Sequence, residues 1–148
     1  MNNIGLIFLA AGNSPALNHH AVEVVQNPLW QLSMGTSIQT GIAALAGRLV
    51  DGIILALADQ PLVTSAVLRS LVEAHRSSGK PIIASQYACT AGVPVYFGAG
   101  FFSALLALAP AQGCKGVIMG NHELVPLIDC PEAEVDVDTP EDYRRIAV

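Results

Sequence analysis

The sequence predicts an α/β domain built on a mostly parallel sheet. Short apolar runs, such as Ile4–Ala10, Gly52–Ala58 and Pro81–Ser85, alternate with segments whose apolar residues recur at helical spacing. The apolar fraction is 52% against 13% charged, which suits strands buried on both faces. A length of 148 residues suits one domain with a core of its own.

Ile4–Ala10 reads as a buried strand, and Val22–Gln26 as a shorter one. Thr36 or Ser37 is placed to cap a helix in which Ile38, Ile42 and Leu45 share a face. Gly52–Ala58 lacks any polar residue and reads as a central strand. Thr64 caps the next helix, with Val67, Leu68, Leu71 and Val72 turned inward and Gly79 closing it. Pro81–Ser85 is another strand. Val93–Phe97 follows, with Pro94 keeping it short or at an edge. Phe101–Ala109 forms a short helix, and Leu124–Ile128 and Glu134–Asp138 are late strands. Thr139-Pro140-Glu141-Asp142 combines a capping hydroxyl, a proline at the first helical position and acids in the first turn. With no repeat, linker or low-complexity stretch, residues 1–148 are expected to form a single domain.

Charge and composition narrow the class of partner. A net charge of −5 argues against nucleic acid or an anionic membrane surface. Residues 81–114 carry no formal charge, yet Pro94, Gly98, Gly100, Ser103 and Pro110 break the run. No uninterrupted apolar span reaches the roughly 18 residues that a membrane helix needs. Cys89, Cys114 and Cys130 are odd in number and lack metal-type spacing, so reduced structural thiols in a cytoplasmic protein are expected. The N-terminus lacks the basic residues of a signal peptide.

In a parallel sheet, ligands sit beyond the carboxyl ends of the strands. Three places qualify: Ala10–Asn13, Asp59–Pro61, and Asp138 with Thr139. Asp59 directly follows the central apolar strand. A carboxylate there can hold Mg²⁺ against substrate phosphates, or it can cap the turn before Pro61. In Val135-Asp136-Val137-Asp138, period two puts both acids on one face. One of them could complete a metal site with Asp59. Equally, Asp136 can be solvated while Asp138 serves the following helix.

"LAAG" at residues 9–12, "ADQPLVT" at 58–64 and "DVDTPEDY" at 136–143, in that order, resemble the molybdenum cofactor nucleotidyltransferases. More narrowly, they resemble the cytidylyltransferase branch of the MobA-like NTP transferase family. "VVQNPLWQLSMGTSIQTGIAAL", "GVPVYF" and "QGCKGVIM" resemble further segments of that family, so the likeness runs through nearly the whole chain. The resemblance implies a three-layer, Rossmann-like sheet of the nucleotide-diphospho-sugar transferase type. It also implies a reaction in which the α-phosphate of Mg²⁺-bound CTP, or GTP in the guanosine branch, is attacked by the phosphate of a molybdopterin-type cofactor. By the same resemblance Leu9, Ala10, Ala11 and Gly12 present backbone to the base, Ser33 and Ser37 touch the nucleotide, and Asp59 and Asp138 hold Mg²⁺.

The chain departs from the family pattern after "LAAG". There the family continues with a loop carrying Arg-Met-Gly and then Lys, followed by a helix and a second strand. Here only Asn13–Val22 separate "LAAG" from the Asn-Pro-aromatic run, and no Lys or Arg precedes Arg48. The phosphate loop and one strand–helix unit are therefore absent, and the expected fold is a truncated one. Each lost charge-assisted contact is worth about 1.5–3 kcal/mol. Lys115, between Gly113 and Gly116, is the best placed replacement for a catalytic cation, although a solvated loop lysine reads as well. His19 and His20 lie in the shortened connection, and Trp30 suits either a ligand stack or a core or interface position.

Two functional classes follow. One is a Mg²⁺-dependent cytidylyltransferase. The other is a non-catalytic relative that binds a nucleotide or cofactor weakly or serves as a partner subunit. In either case the shortened chain is expected to uncover sheet edge and favour a homodimer. A receiver-type phospho-acceptor role for Asp59 would need further acids after the first strand, and Leu9–Asn13 has none.

Overall fold

The computed structural model describes residues 3–10 and 23–147. Ala11, Gly12, His19 and His20 lie outside them. Five strands form one sheet in the order β1-β2-β4-β3-β5. They are β1 (Ile4–Leu9), β2 (Gly52–Leu57), β3 (Ile82–Tyr87), β4 (Thr90–Gly98) and β5 (Leu127–Asp129). β1 pairs with β2, and β3 with β5, in parallel; β4 lies antiparallel between β2 and β3. The sheet is thus mostly parallel, with one reversed strand near its middle.

Helices cover both faces, giving three layers. α1 (Met34–Ala44), α3 (Phe102–Leu106) and α4 (Lys115–Gly120) pack on one side. Their Ile38, Ile42, Leu105 and Ile118 join Ile53, Leu55, Val95 and Phe97 of the sheet in the larger core. α2 (Ser65–Ser78) covers the other side, where Leu71 meets Ile54, Ile83 and Tyr96. Successive residues of β2 and of the paired parts of β3 and β4 alternate between these two cores, which is why β2 is apolar at every position. Among the described residues, no helix is long and apolar enough to cross a membrane.

Several expected elements are revised. Val22 lies outside the described residues, and residues 23–26 take no regular structure. Val24 and Val25 are exposed and, among the described residues, have no sheet partner. α1 begins at Met34 with Ser33 before it, so Thr36 and Ser37 sit in its first turn rather than capping it. β4 runs for nine residues in mid-sheet, where Pro94 had been expected to confine it. The pairing of β3 with β4 shifts register between Ala84 and Ser85, so Pro94 falls at a bulge where no ladder N–H is required. The β3–β4 connection is a tight turn with left-handed Ala88 and Cys89 (φ 47° and 58°), which no glycine or asparagine announces. β5 begins only at Leu127, and residues 135–138, expected as a strand, form none.

Other signals hold. Gly79 closes α2 in the left-handed region (φ 67°). α5 (Pro140–Ile146) starts on a complete capping box, in which Thr139 and Asp142 each bond the other's backbone N–H.

Candidate functional site

A cleft of about 700 Å³ opens at the carboxyl ends of β1 and β2. The parallel pairing of these strands brings Leu9 beside Leu57, and the Ala58 N–H donates to the Leu9 carbonyl at 3.0 Å. Leu9 and Ala10 form one wall, and Ala58 and Asp59 the floor. Trp30, Ser33, Met34 and Ser37 come from the approach to α1 and its first turn, and Val137 and Asp138 from the segment before α5. The fold therefore brings together Leu9, Ala10, Ser37, Asp59 and Asp138. Lys115, exposed at the start of α4, does not line the cleft.

Asp59 is braced on two sides. Its carbonyl accepts from the Val137 N–H at 2.8 Å, which brings the acidic segment against the end of β2. Its neighbour Gln60 is 4% exposed, and the amide Nε2 donates to the carbonyls of Ala133 (2.8 Å) and Val93 (3.3 Å). One side chain thus joins the end of β2 to the bulge of β4 and to the turn that leads into Asp136 and Asp138.

Among the described residues, the Asp59 carboxylate has no counter-charge. Burial, then the Asp136 carboxylate and more weakly that of Asp138, push its carboxyl above the ordinary range, against a backbone hydrogen bond that pulls it down. Its Oδ1 is buried, with no hydrogen-bond partner among the described residues. A buried carboxylate oxygen without a partner is costly, and a divalent cation is a chemically apt one. Among the described residues, no group of three or more His, Cys, Asp or Glu is placed to hold a metal. Mg²⁺ commonly takes one or two carboxylates and completes its shell with water and substrate phosphates, so Asp59 with Asp138 fits that pattern.

The wall that carries Trp30 and Ser37 is braced from behind by Asn27, which does not itself line the cleft. Its Nδ2 donates to the hydroxyls of Thr36 and Ser37, at 2.9 Å each, and its Oδ1 accepts from the Leu29 N–H at 2.9 Å. The turn that presents Trp30 is therefore bound to the first turn of α1. That turn is pressed in turn onto the 109–112 loop. A Cβ added at Gly35 would stand 2.4 Å from the Gln112 carbonyl. Ser33 Oγ is buried and has no partner among the described residues.

All seven Lys and Arg lie among the described residues, and none lines the cleft. Arg48 pairs with Glu23, Arg76 with Glu73 at 3.2 Å, and Arg144 with Glu141 at 3.2 Å, all on the surface. His75 is held by the Lys80 carbonyl at 2.8 Å and stacks on Tyr96, and His122 contacts the Met119 carbonyl at 2.9 Å. The bracing roles of Asn27 and Gln60 were missed in the sequence. Each sits in a quoted motif, Asn-Pro-Leu-Trp and Asp-Gln-Pro; the partners of Gln60 are distant in the chain, and those of Asn27 lie across the turn that leads into α1.

The MobA-like NTP transferase domain matches residues 3–125. Among solved structures, Rv0371c from Mycobacterium tuberculosis is 26% identical with a TM-score of 0.66; the match covers 95% of this chain and 74% of that one. The manganese complex of Rv0371c from the same organism is 28% identical, with a TM-score of 0.64 over 95% of this chain and 75% of that one. A cytidylyltransferase from Leptospira borgpetersenii shares the fold at 14% identity, with a TM-score of 0.63 over 99% and 85% of the two chains. The sequence has no significant match among curated proteins.

Proposed function

The chain belongs to the MobA-like NTP transferase family, and on that premise we propose that it is a nucleotidyltransferase that transfers CMP from CTP to a molybdopterin-type cofactor. The observation that carries this reading is the buried, partnerless Oδ1 of Asp59 in a cleft shared with Asp138. These two carboxylates would hold Mg²⁺, or Mn²⁺ as in the complex of Rv0371c. When bound, the metal would offset triphosphate charge and polarise the α-phosphate. An oxygen of the acceptor phosphate attacks the α-phosphorus, the bond to the β-phosphate breaks, and pyrophosphate leaves. Little covalent help is required, and positioning and charge neutralisation supply the catalysis.

Leu9 and Ala10, with Ala11 and Gly12 outside the described residues, are the segment assigned to the base, and Ser37 is assigned to the nucleotide. "LAAG" favours cytidine, and GTP is the alternative nucleotide. Lys115 is the assigned phosphate cation; to meet it, the triphosphate must extend from the cleft toward α4. A cytoplasmic setting fits three free thiols, of which the buried Cys114 is pushed up to about 11. A homodimer fits the outer position of β1, whose Leu6 and Phe8 are about half exposed.

A second reading has its own support. None of the seven cations lines the cleft, which suits a non-catalytic relative acting as a weak nucleotide- or cofactor-binding or partner subunit. Calorimetric titration of CTP and GTP with Mg²⁺, on the wild type and on Asp59→Ala, separates the two. Micromolar CTP binding that requires both Mg²⁺ and Asp59 is expected. No heat up to millimolar CTP, from a folded protein, would overturn the enzyme and leave the second reading.

A further inference from the structure

We infer that Trp30 is a stacking platform for a flat heteroaromatic ring bound in the Asp59 cleft, an inference that rests on the nucleotidyltransferase reading and deepens it. Trp30 is the only Trp in the chain and remains 48% exposed on the cleft wall. Its exposure is built in by the turn beneath it. The Trp30 N–H donates to the Asn27 carbonyl at 3.2 Å, and Asn27 is tied by its amide to Thr36 and Ser37. The indole is thus mounted on a turn fixed to α1, which places its ring without burying it. A large ring of few rotamers gives contact area at low entropic cost. Met34 beside it, 45% exposed, adds an adaptable thioether to the same surface.

A second observation sets the chemistry of the ring. Ser33 Oγ, on the same wall, is buried and has no partner among the described residues. A purely apolar guest would leave it unpaired, whereas a ring edged with nitrogens and carbonyls satisfies it. Nucleobases and pterins share that chemistry, a π-face with a polar rim. Asp59 and Asp138 in the same cleft leave room for the phosphate and metal end of such a ligand.

The test uses the full chain, whose tryptophan emission comes from Trp30 alone. CTP, GTP and neopterin are titrated separately, with Mn²⁺ binding followed by paramagnetic resonance. Saturable quenching by a nucleotide assigns the platform to the base, and by neopterin to the acceptor; either supports the inference. Trp30→Leu is expected to weaken that ligand by about 5- to 100-fold, with Trp30→Phe retaining most of the affinity and Mn²⁺ affinity unchanged in both. Nucleotide or neopterin binding by calorimetry that leaves Trp30 emission and the Trp30→Leu affinity unaltered would overturn the platform while the nucleotidyltransferase reading stands. Emission that depends on protein concentration and on no ligand would overturn it in favour of a contact between copies. Failure of the wild type to bind Mn²⁺ and every ligand would take both readings down.

Discussion

The backbone N–H of Val137 donates to the carbonyl of Asp59 at 2.8 Å, across 78 positions of sequence. That bond carries the acidic segment to the end of β2. It is why one carboxylate after a central strand and another before the last helix share a cleft. Like charges brought together in this way raise the cost of ionisation unless a cation joins them.

Asp59→Asn tests that electrostatic account. Burial first, and then Asp136 and Asp138, hold the folded pKa of Asp59 above its unfolded value. A carboxyl raised in this way contributes stability below its unfolded pKa, and the contribution is lost as pH rises through the folded pKa. Near neutral pH and without metal, the ionised side chain is therefore a cost. Metal-free Asp59→Asn is expected to melt above the wild type there, with the gap closing in mild acid. Added Mn²⁺ should raise the melting temperature of the wild type alone. A variant that melts below the wild type without metal would show that the carboxylate already has a partner.

Gln60→Leu keeps most of the side-chain volume and removes both donors. The carbonyls of Ala133 and Val93 then lose their Gln60 hydrogen bonds. The expected loss is about 1–3 kcal/mol of stability, read by urea titration. Mn²⁺ affinity should fall as well, because the segment leading to Asp138 loses its side-chain tether. Unchanged Mn²⁺ binding in a destabilised variant would confine Gln60 to a packing role.

Gly35→Ala places a methyl 2.4 Å from the Gln112 carbonyl, a backbone atom that cannot swing aside. α1 or the 109–112 loop must shift, at a cost of about 1–3 kcal/mol. Ser37 rides on the same helix, so nucleotide affinity should drop alongside the melting temperature. A variant as stable as the wild type would show that the loop yields freely.

Phe8→Lys addresses self-association. β1 is an outer strand of the sheet with no charge and no proline, the devices that normally guard an edge. The wild type is expected to dimerise, and the variant to weaken the dimer by about tenfold or more through facing like charges. Light scattering over a range of concentrations reads the result. A wild-type monomer throughout would remove the homodimer.

Much of the architecture was legible because its signals are local. Gly52–Leu57 had no polar residue and could only be buried. Thr139, Pro140 and Asp142 carried the start of α5 within four residues. Asp59, after a strand, and Asp138 and Ser37, within motifs, were legible as candidates, and all three line one cleft. Where signals depended on distant partners, the reading failed. Val24 and Val25 have strand composition but join no strand among the described residues. Pro94 lies in mid-sheet because the register shift that excuses it is a property of two strands.

Composition and periodicity thus settled the class of the fold and the ends of its central strands, since burial on two faces and helix capping act over a few residues. The tertiary structure decided the rest. It chose the reversed direction of β4, the joining of Asp59 to residue 137, and the tethering of Gln60 to residues 93 and 133. Each of these rests on hydrogen bonds or packing between segments whose separation along the chain says nothing of their distance in space.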